Sequence, residues 1–310
     1  MVSETTAGEP INRISGALHR RPRLRLALLL GLPMLWLGGV YGGSLVALLS
    51  QSFFSLDDFS GTIDRTFTME TWGDLFTDSN ISIAIRTTVM ATAVTIGAAI
   101  IAFPIAYYAV RYAGRRLRAV FFVLILIPLW SSYLVRVYSW KLILAREGIL
   151  FWFVDKLGLN FLLDSALSAP GIGGPSLSAS ALGQFIVFVY IWLPYMILPI
   201  HAALERVPKS YLDASADLGA KPFQTFRNVI WPLAIPGIAA GSIFTFSLTL
   251  GDYIIPTIIG DSSPFVGLAI YSYQGVAGNL PLAAAFTFFP IVIMAIYLYL
   301  ARRAGAFEAL

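Results

Sequence analysis

Six stretches of mainly apolar residues, at roughly 25–50, 81–110, 119–138, 179–203, 236–258 and 281–301, are each long enough to cross a bilayer. About 20 such residues in a helix span the roughly 30 Å of hydrocarbon. Inside lipid every backbone N–H and C=O must be bonded within the chain, so only helices and closed barrels are available. These runs are continuous and lack two-residue alternation, which excludes a barrel. The sequence therefore predicts an all-α integral membrane protein with six transmembrane helices. Composition agrees, since 57% of residues are hydrophobic, 12% are charged and the mean hydropathy is +0.76, well outside the soluble range. The first run is too long, and too poor in an early small-residue cleavage site, for a signal peptide, and it reads as a retained helix. There is no cysteine, which removes disulfides and thiolate metal sites.

Cations set the orientation. Arg13, Arg20, Arg21, Arg23 and Arg25 precede the first run, Arg111, Arg115, Arg116 and Arg118 lie between the second and third, and Arg206, Lys209, Lys221 and Arg227 lie between the fourth and fifth. Arg302 and Arg303 follow the sixth. The alternate loops hold only Arg65, Lys141, Arg146 and Lys156 against an excess of carboxylates. The positive-inside rule then places the N and C termini in the cytoplasm. The net charge of +4 is explained by this topology and gives no support for a nucleic-acid partner. Residues 1–24 read as a cytoplasmic segment, 25–303 as one membrane domain containing a polar cytoplasmic loop at 204–235, and 304–310 as a cytoplasmic tail. Two long outer loops, 51–80 and 139–178, either cap the bundle or dock a partner. Neither a soluble-type repeat nor an inverted repeat of the hydropathy pattern is visible.

The polar loop before the fifth span carries the most local structure. Ser210 followed by Asp213 is a capping-box pattern that predicts a helix from about Tyr211. Gly219 is placed to end it in the left-handed conformation, and Pro222 suits the first turn of a second helix running to Pro232. A helix of two or three turns is marginal in water, so its Leu212, Ala216 and Leu218 side must rest on something. The small residues Ala214, Ser215, Ala216, Gly219 and Ala220 leave the backbone approachable by a groove in another protein.

This loop resembles the cytoplasmic signature of permease subunits of bacterial ABC importers: Glu-Ala-Ala, three residues, Gly, nine residues, Ile, one residue, Leu-Pro. Asp213-Ala214-Ser215 stands for the opening triplet, Gly219 for the glycine, and Val229 with Trp231-Pro232 for the end. Asp for Glu, Ser for Ala, Val for Ile and Trp for Leu are departures, but the spacing is intact. The runs Ile127–Trp140 and Leu250–Pro256 are similar to the spermidine/putrescine-type subfamily, and the likeness covers nearly all of 25–303. The resemblance implies a coupling helix over Tyr211, Leu212, Asp213, Ala214, Ser215, Asp217, Gly219 and Ala220 that docks on a separate ATPase. It also implies a second, related permease subunit, two cytoplasmic ATPase subunits that bind ATP and Mg, an external solute-binding protein, and residence in the bacterial inner membrane. The implied cargo is a polyamine such as spermidine or putrescine; the alternative is another solute, iron, a phosphonate, an opine or an amino-acid derivative, carried by related permeases.

One buried acid bears on the cargo. If the fifth span starts near Pro236, Asp252 lies about 24 Å along it, toward the outer leaflet. An acid there needs a partner or water. Either it receives a cationic amine, with Trp130, Tyr133 and Tyr253 as cation–π faces, or it forms an ion pair with Arg136 or Arg86. His201, near the inner end of the fourth run, has no second ligand at metal spacing and reads as a packing residue. Pro104, Pro128, Pro194, Pro199 and Pro290 are candidates for kinks.

No Gly-x-x-x-x-Gly-Lys-Ser/Thr loop occurs, so this chain is not itself expected to be an enzyme and binds no nucleotide cofactor of its own. No Gly-x-Ser-x-Gly or His-Glu-x-x-His site is present, which argues against an intramembrane hydrolase or zinc protease. A secondary transporter, working without ATP, would be expected to show buried charge relays, and only Asp252 stands in that position.

Overall fold

The computed structural model describes residues 22–57, 59–261 and 263–303. The expected N-terminal segment and the tail at 304–310 lie outside the described residues, apart from the helical start at Pro22.

Among the described residues five helices are long and apolar enough to cross a membrane: Leu26–Gln51, Asp78–Arg111, Ala181–Glu205, Pro222–Gly251 and Leu280–Arg303. The third span departs from expectation. Its apolar run divides into α1 (Arg115–Trp130) and α2 (Tyr133–Ile143), bent by 96°. Pro128 supplies no N–H to the last turn of α1. Ser131 and Ser132 follow with extended ψ values of 152° and 133°. Ser131 Oγ donates to the Pro128 carbonyl at 2.8 Å, a local bond that competes with helix.

The fifth span also differs. Its helix starts at Pro222 rather than near Pro236 and runs unbroken to Gly251. A π-helical turn at Phe226–Ile230 absorbs the amide missing at Pro232. The helix stops before the end of the 236–258 window. Asp252 is already extended, at φ −73° and ψ 131°, and a short helix α3 (Ile254–Ile258) follows.

The core is where spans two, four and five meet. Val187, Phe188, Ile191, Met196 and Ile200 of span four are buried against Val94, Ala98 and Ala102 of span two and Ala234 of span five. Backbones approach closely because small residues face the contact. A Cβ on Gly237 would meet Ala203 Cβ at 2.5 Å, and one on Gly241 would meet Met196 Sδ at 2.8 Å. Span one has none of its apolar window buried, leaving that surface for lipid or a partner. Outside the bundle, Ser55–Leu56 and Ile63–Asp64 form a small antiparallel hairpin, and the 139–178 loop folds two short helices, Ile149–Lys156 and Asn160–Leu167.

Candidate functional site

Between spans four and five, helix α4 (Lys209–Asp217) starts directly after Pro208, whose φ of −64° is preset for it. The Ser210 capping box does not form, because Ser210 already lies within the first turn and the N-cap has no side-chain bond. Gly219 takes φ +76°. Its N–H donates to the Ala216 carbonyl at 2.8 Å and Ala220 N–H to the Ser215 carbonyl at 3.1 Å, which satisfies carbonyls at the end of the helix. No neighbour lies within 4 Å of a Cβ built on Gly219, so the glycine serves the turn rather than close packing within the chain.

The helix rests on its own chain along one side only. Leu212 packs against the main core, and Ser215 Oγ lies 2.9 Å from Thr225 Oγ1 at the start of span five. Ala216 and Leu218 do not join that side, contrary to the expectation of a single apolar face: Leu218 is 88% exposed, as are Tyr211 at 54% and Phe223 at 71%. Asp213, Ala214 and Asp217 also face outward. The loop therefore presents a mixed apolar and acidic surface where span four ends and span five begins.

The second cluster forms where the break in span three meets the end of span five. The Asp252 side chain caps α3, with Oδ1 accepting from Ile254 N–H at 2.7 Å and Ile255 N–H at 3.1 Å. Its Oδ2 accepts a hydrogen bond from the Tyr133 hydroxyl. Among the described residues no ion pair joins Asp252 to Arg136 or Arg86, because the tyrosine has taken that place. The Arg136 guanidinium instead lies 5.8 Å from the centre of the Tyr133 ring. Trp192 stacks on Tyr133 with centroids 5.8 Å apart, so both neighbours of the Tyr133 ring come from the protein itself. Tyr253 is 41% exposed and stacks on Tyr271 at 4.8 Å.

Of the four residues expected to line a path, Tyr133 and Asp252 are in direct contact, and Tyr253 adjoins them through the backbone. Trp130 is 88% exposed at the end of α1, on the far side of the Ser131–Ser132 break, and joins no aromatic contact with the others. Trp192 and Tyr271 belong to the cluster but carry no sequence signal: one is hidden within an apolar run, the other lies between spans. His201 is buried, with its ring edge-on to Phe122 at 4.5 Å and Nδ1 3.8 Å from Glu205. No group of three metal-ligating side chains occurs among the described residues.

The family model for a binding-protein-dependent transport system inner membrane component matches residues 98–305. The chain is 52% identical over 300 residues to the inner membrane ABC transporter permease protein YdcU of Escherichia coli, covering 97% of this chain and 96% of that one. It is 29% identical over 258 residues to the spermidine/putrescine transport system permease protein PotB of Haemophilus influenzae, covering 83% and 86%. In fold it is similar to a chain in the crystal structure of a bacterial ABC transporter involved in the import of the acidic polysaccharide alginate, with a TM-score of 0.69 at 14% identity, covering 94% of this chain and 99% of that one. Its set of membrane-spanning helices and the match over most of its length lead to one conclusion: the chain belongs to the family of binding-protein-dependent inner membrane components and is a permease subunit of an ABC importer.

Proposed function

We propose that this permease forms half of a translocation path for a polyamine and is driven by ATP hydrolysed, with Mg, on two separate cytoplasmic subunits. A second, related permease completes the path, and an external solute-binding protein delivers cargo to the outer loops. Both termini and helix α4 face the cytoplasm, as the distribution of Lys and Arg favours.

The observation that carries the cargo reading is the Asp252 carboxylate, buried at the end of span five beside the exposed Tyr253 and Tyr271 rings. A carboxylate in so dry a place favours a cation strongly once water is excluded, and the stacked tyrosines offer cation–π faces. In the closed arrangement the Tyr133 hydroxyl occupies the carboxylate; opening exchanges that neutral donor for the ammonium of the solute. The names of the PotB relatives point to the same chemical class.

Helix α4 supplies the coupling. Tyr211 on the helix, Leu218 just past its end and Phe223 at the start of span five are exposed apolar groups near Asp213 and Asp217, a surface suited to a groove with an apolar floor and basic rim. Motion of that groove moves α4, and with it the inner ends of spans four and five, biasing the bundle between its two states.

Cargo is tested by labelled uptake in cells that lack their own polyamine import and express this chain with its partner subunits. Putrescine or spermidine accumulation, undiminished by excess phosphonate, ferric chelate or amino acid, is the expected result. Uptake of one of those competitors without polyamine uptake would overturn the cargo while leaving the importer reading in place.

A further inference from the structure

Away from the Asp252 cluster, the ends of spans two and four nearest the 168–180 and 259–265 segments enclose a cavity of about 440 Å³ lined by Arg86, Met90, Leu182, Phe185, Gln184 and Asp261, among others. We propose that it holds a phospholipid with a zwitterionic, primary-amine headgroup, the phosphate on Arg86, the ammonium on Asp261 and one acyl chain along the apolar wall.

Depth supports this occupant. Residues 87–110 carry no Asp, Glu, Lys or Arg, a run of about 36 Å at 1.5 Å per residue, so Arg86 marks one edge of the hydrocarbon and Arg111 the other. Arg86 shares one helix face with Val89, Met90 and Ala93, at the i, i+3, i+4 and i+7 spacing, and all four line the cavity. A cation at headgroup level above an apolar wall one to two turns deeper repeats the polarity profile of a lipid.

Charge narrows the class. Among the described residues Arg86 has no ion-pair partner within 4.0 Å, the two pairs present being Arg118–Glu205 and His201–Glu205. Its guanidinium fork suits a phosphate. Asp261 Oδ1 and Oδ2 accept from Ser263 N–H at 3.2 Å and Ser263 Oγ at 2.9 Å, which leaves each oxygen a lone pair for an ammonium. Arg86 disfavours the cationic cargo proposed for Asp252, and the apolar wall gives a free phosphate nothing to bind. The floor is built rather than incidental: Gln184 is 1% exposed and its Nε2 donates to the Ile259 carbonyl at 2.7 Å. Gly260, at φ +116°, lies so close that a Cβ there would meet Gln184 Nε2 at 2.0 Å. This holds the 259–261 segment beside the cavity. Assignment to the outer leaflet rests on the importer topology proposed above; the site itself does not.

The test uses the full chain in nanodiscs of equal parts phosphatidylethanolamine and phosphatidylglycerol, transferred to mild detergent and weighed intact by native mass spectrometry. One phosphatidylethanolamine retained per chain is expected. Arg86→Gln should lower retention of both lipids about tenfold, Arg86→Lys should preserve it, and Asp261→Asn should keep a lipid but lose the preference between headgroups. Val89→Trp, which fills the wall, should also release the lipid while the melting temperature of the chain is unchanged. Wild-type retention that mirrors the bulk mixture, retention unchanged in Arg86→Gln, or equal displacement by soluble glycerophosphoethanolamine would overturn the proposal. Impermeant labelling of Arg86→Cys from the cytoplasmic side alone would overturn the leaflet and leave the lipid site standing, so the two failures are separable.

Discussion

The Tyr133 hydroxyl donates to Oδ2 of Asp252, a residue 119 positions further along the chain, and the bond ties the break in span three to the end of span five. Both helices stop at this contact: α1 gives way at Ser131–Ser132, and span five ends at Gly251. Two helix ends meeting at one carboxylate is an arrangement that can open without unfolding a span.

Asp252→Asn separates charge from structure. Asparagine keeps an oxygen for the Ile254 and Ile255 N–H groups, so stability should change by no more than about 1 kcal/mol. Loss of the negative charge should raise the half-saturation concentration for putrescine at least tenfold, about 1.4 kcal/mol. Asp252→Ala should additionally lose the cap, about 1 kcal/mol, visible as a lower melting temperature. An asparagine variant with wild-type half-saturation would remove Asp252 from cargo recognition.

Gly219 and Gly237 should fail in opposite ways. At Gly219, φ is +76° and a Cβ meets no neighbour within 4 Å. Gly219→Leu therefore strains a turn by about 1–2 kcal/mol without disturbing the bundle: insertion remains while uptake is lost, and Gly219→Asn recovers part of it. At Gly237 a Cβ would meet the Pro199 carbonyl oxygen at 2.6 Å, so Gly237→Leu separates spans four and five and costs about 1–3 kcal/mol or more. Detergent-solubilised melting curves distinguish the two.

The two leucines of the α4 region face different ways. Leu212 is packed on the core and Leu218 is 88% exposed. Leu212→Ala should lower the stability of the isolated chain, by up to about 2 kcal/mol for a half-buried leucine. Leu218→Ala should leave that stability within about 0.5 kcal/mol and weaken co-purification of the ATPase subunit.

Arg118, at the start of span three, joins the ends of spans two and four. Its Nε and Nη2 donate to the carbonyls of Ala109 at 3.2 Å and Val110 at 2.7 Å, and its Nη1 lies 3.7 Å from Glu205 Oε1. Arg118→Met should destabilise by about 1–3 kcal/mol, since the carbonyls at the end of span two lose their partner. Glu205→Gln should cost less than about 1 kcal/mol, because that pair is half in water. Equal effects in thermal unfolding would mean that the ion pair, rather than the carbonyl bonds, matters.

Hydropathy located the membrane spans because lipid leaves the backbone few choices, and the left-handed glycine at 219 was legible because only a turn explains a glycine there. The break in span three was not. A sliding apolar average runs through Pro128, Ser131 and Ser132 without registering that three residues disfavour helix together. The same averaging carried the fifth window past Asp252, whose side chain, by bonding the next two amides, ends one helix and starts another. Trp192 and Tyr271 join the site only because that bend brings Tyr133 back against span four, a tertiary fact with no local pattern. Trp130 stands apart from Tyr133 for the same reason: three residues before it on one helix would be the same face, whereas across a 96° bend it is not.

The bundle is proposed to move solute only when a nucleotide-hydrolysing partner acts on α4. Proteoliposomes containing the chain, its partner permease and the ATPase subunits, with binding protein and labelled putrescine outside, test it by accumulation with and without enclosed ATP and Mg. Uptake that requires ATP and is abolished by Gly219→Leu is the predicted result; accumulation by the chain alone, without nucleotide, would contradict it.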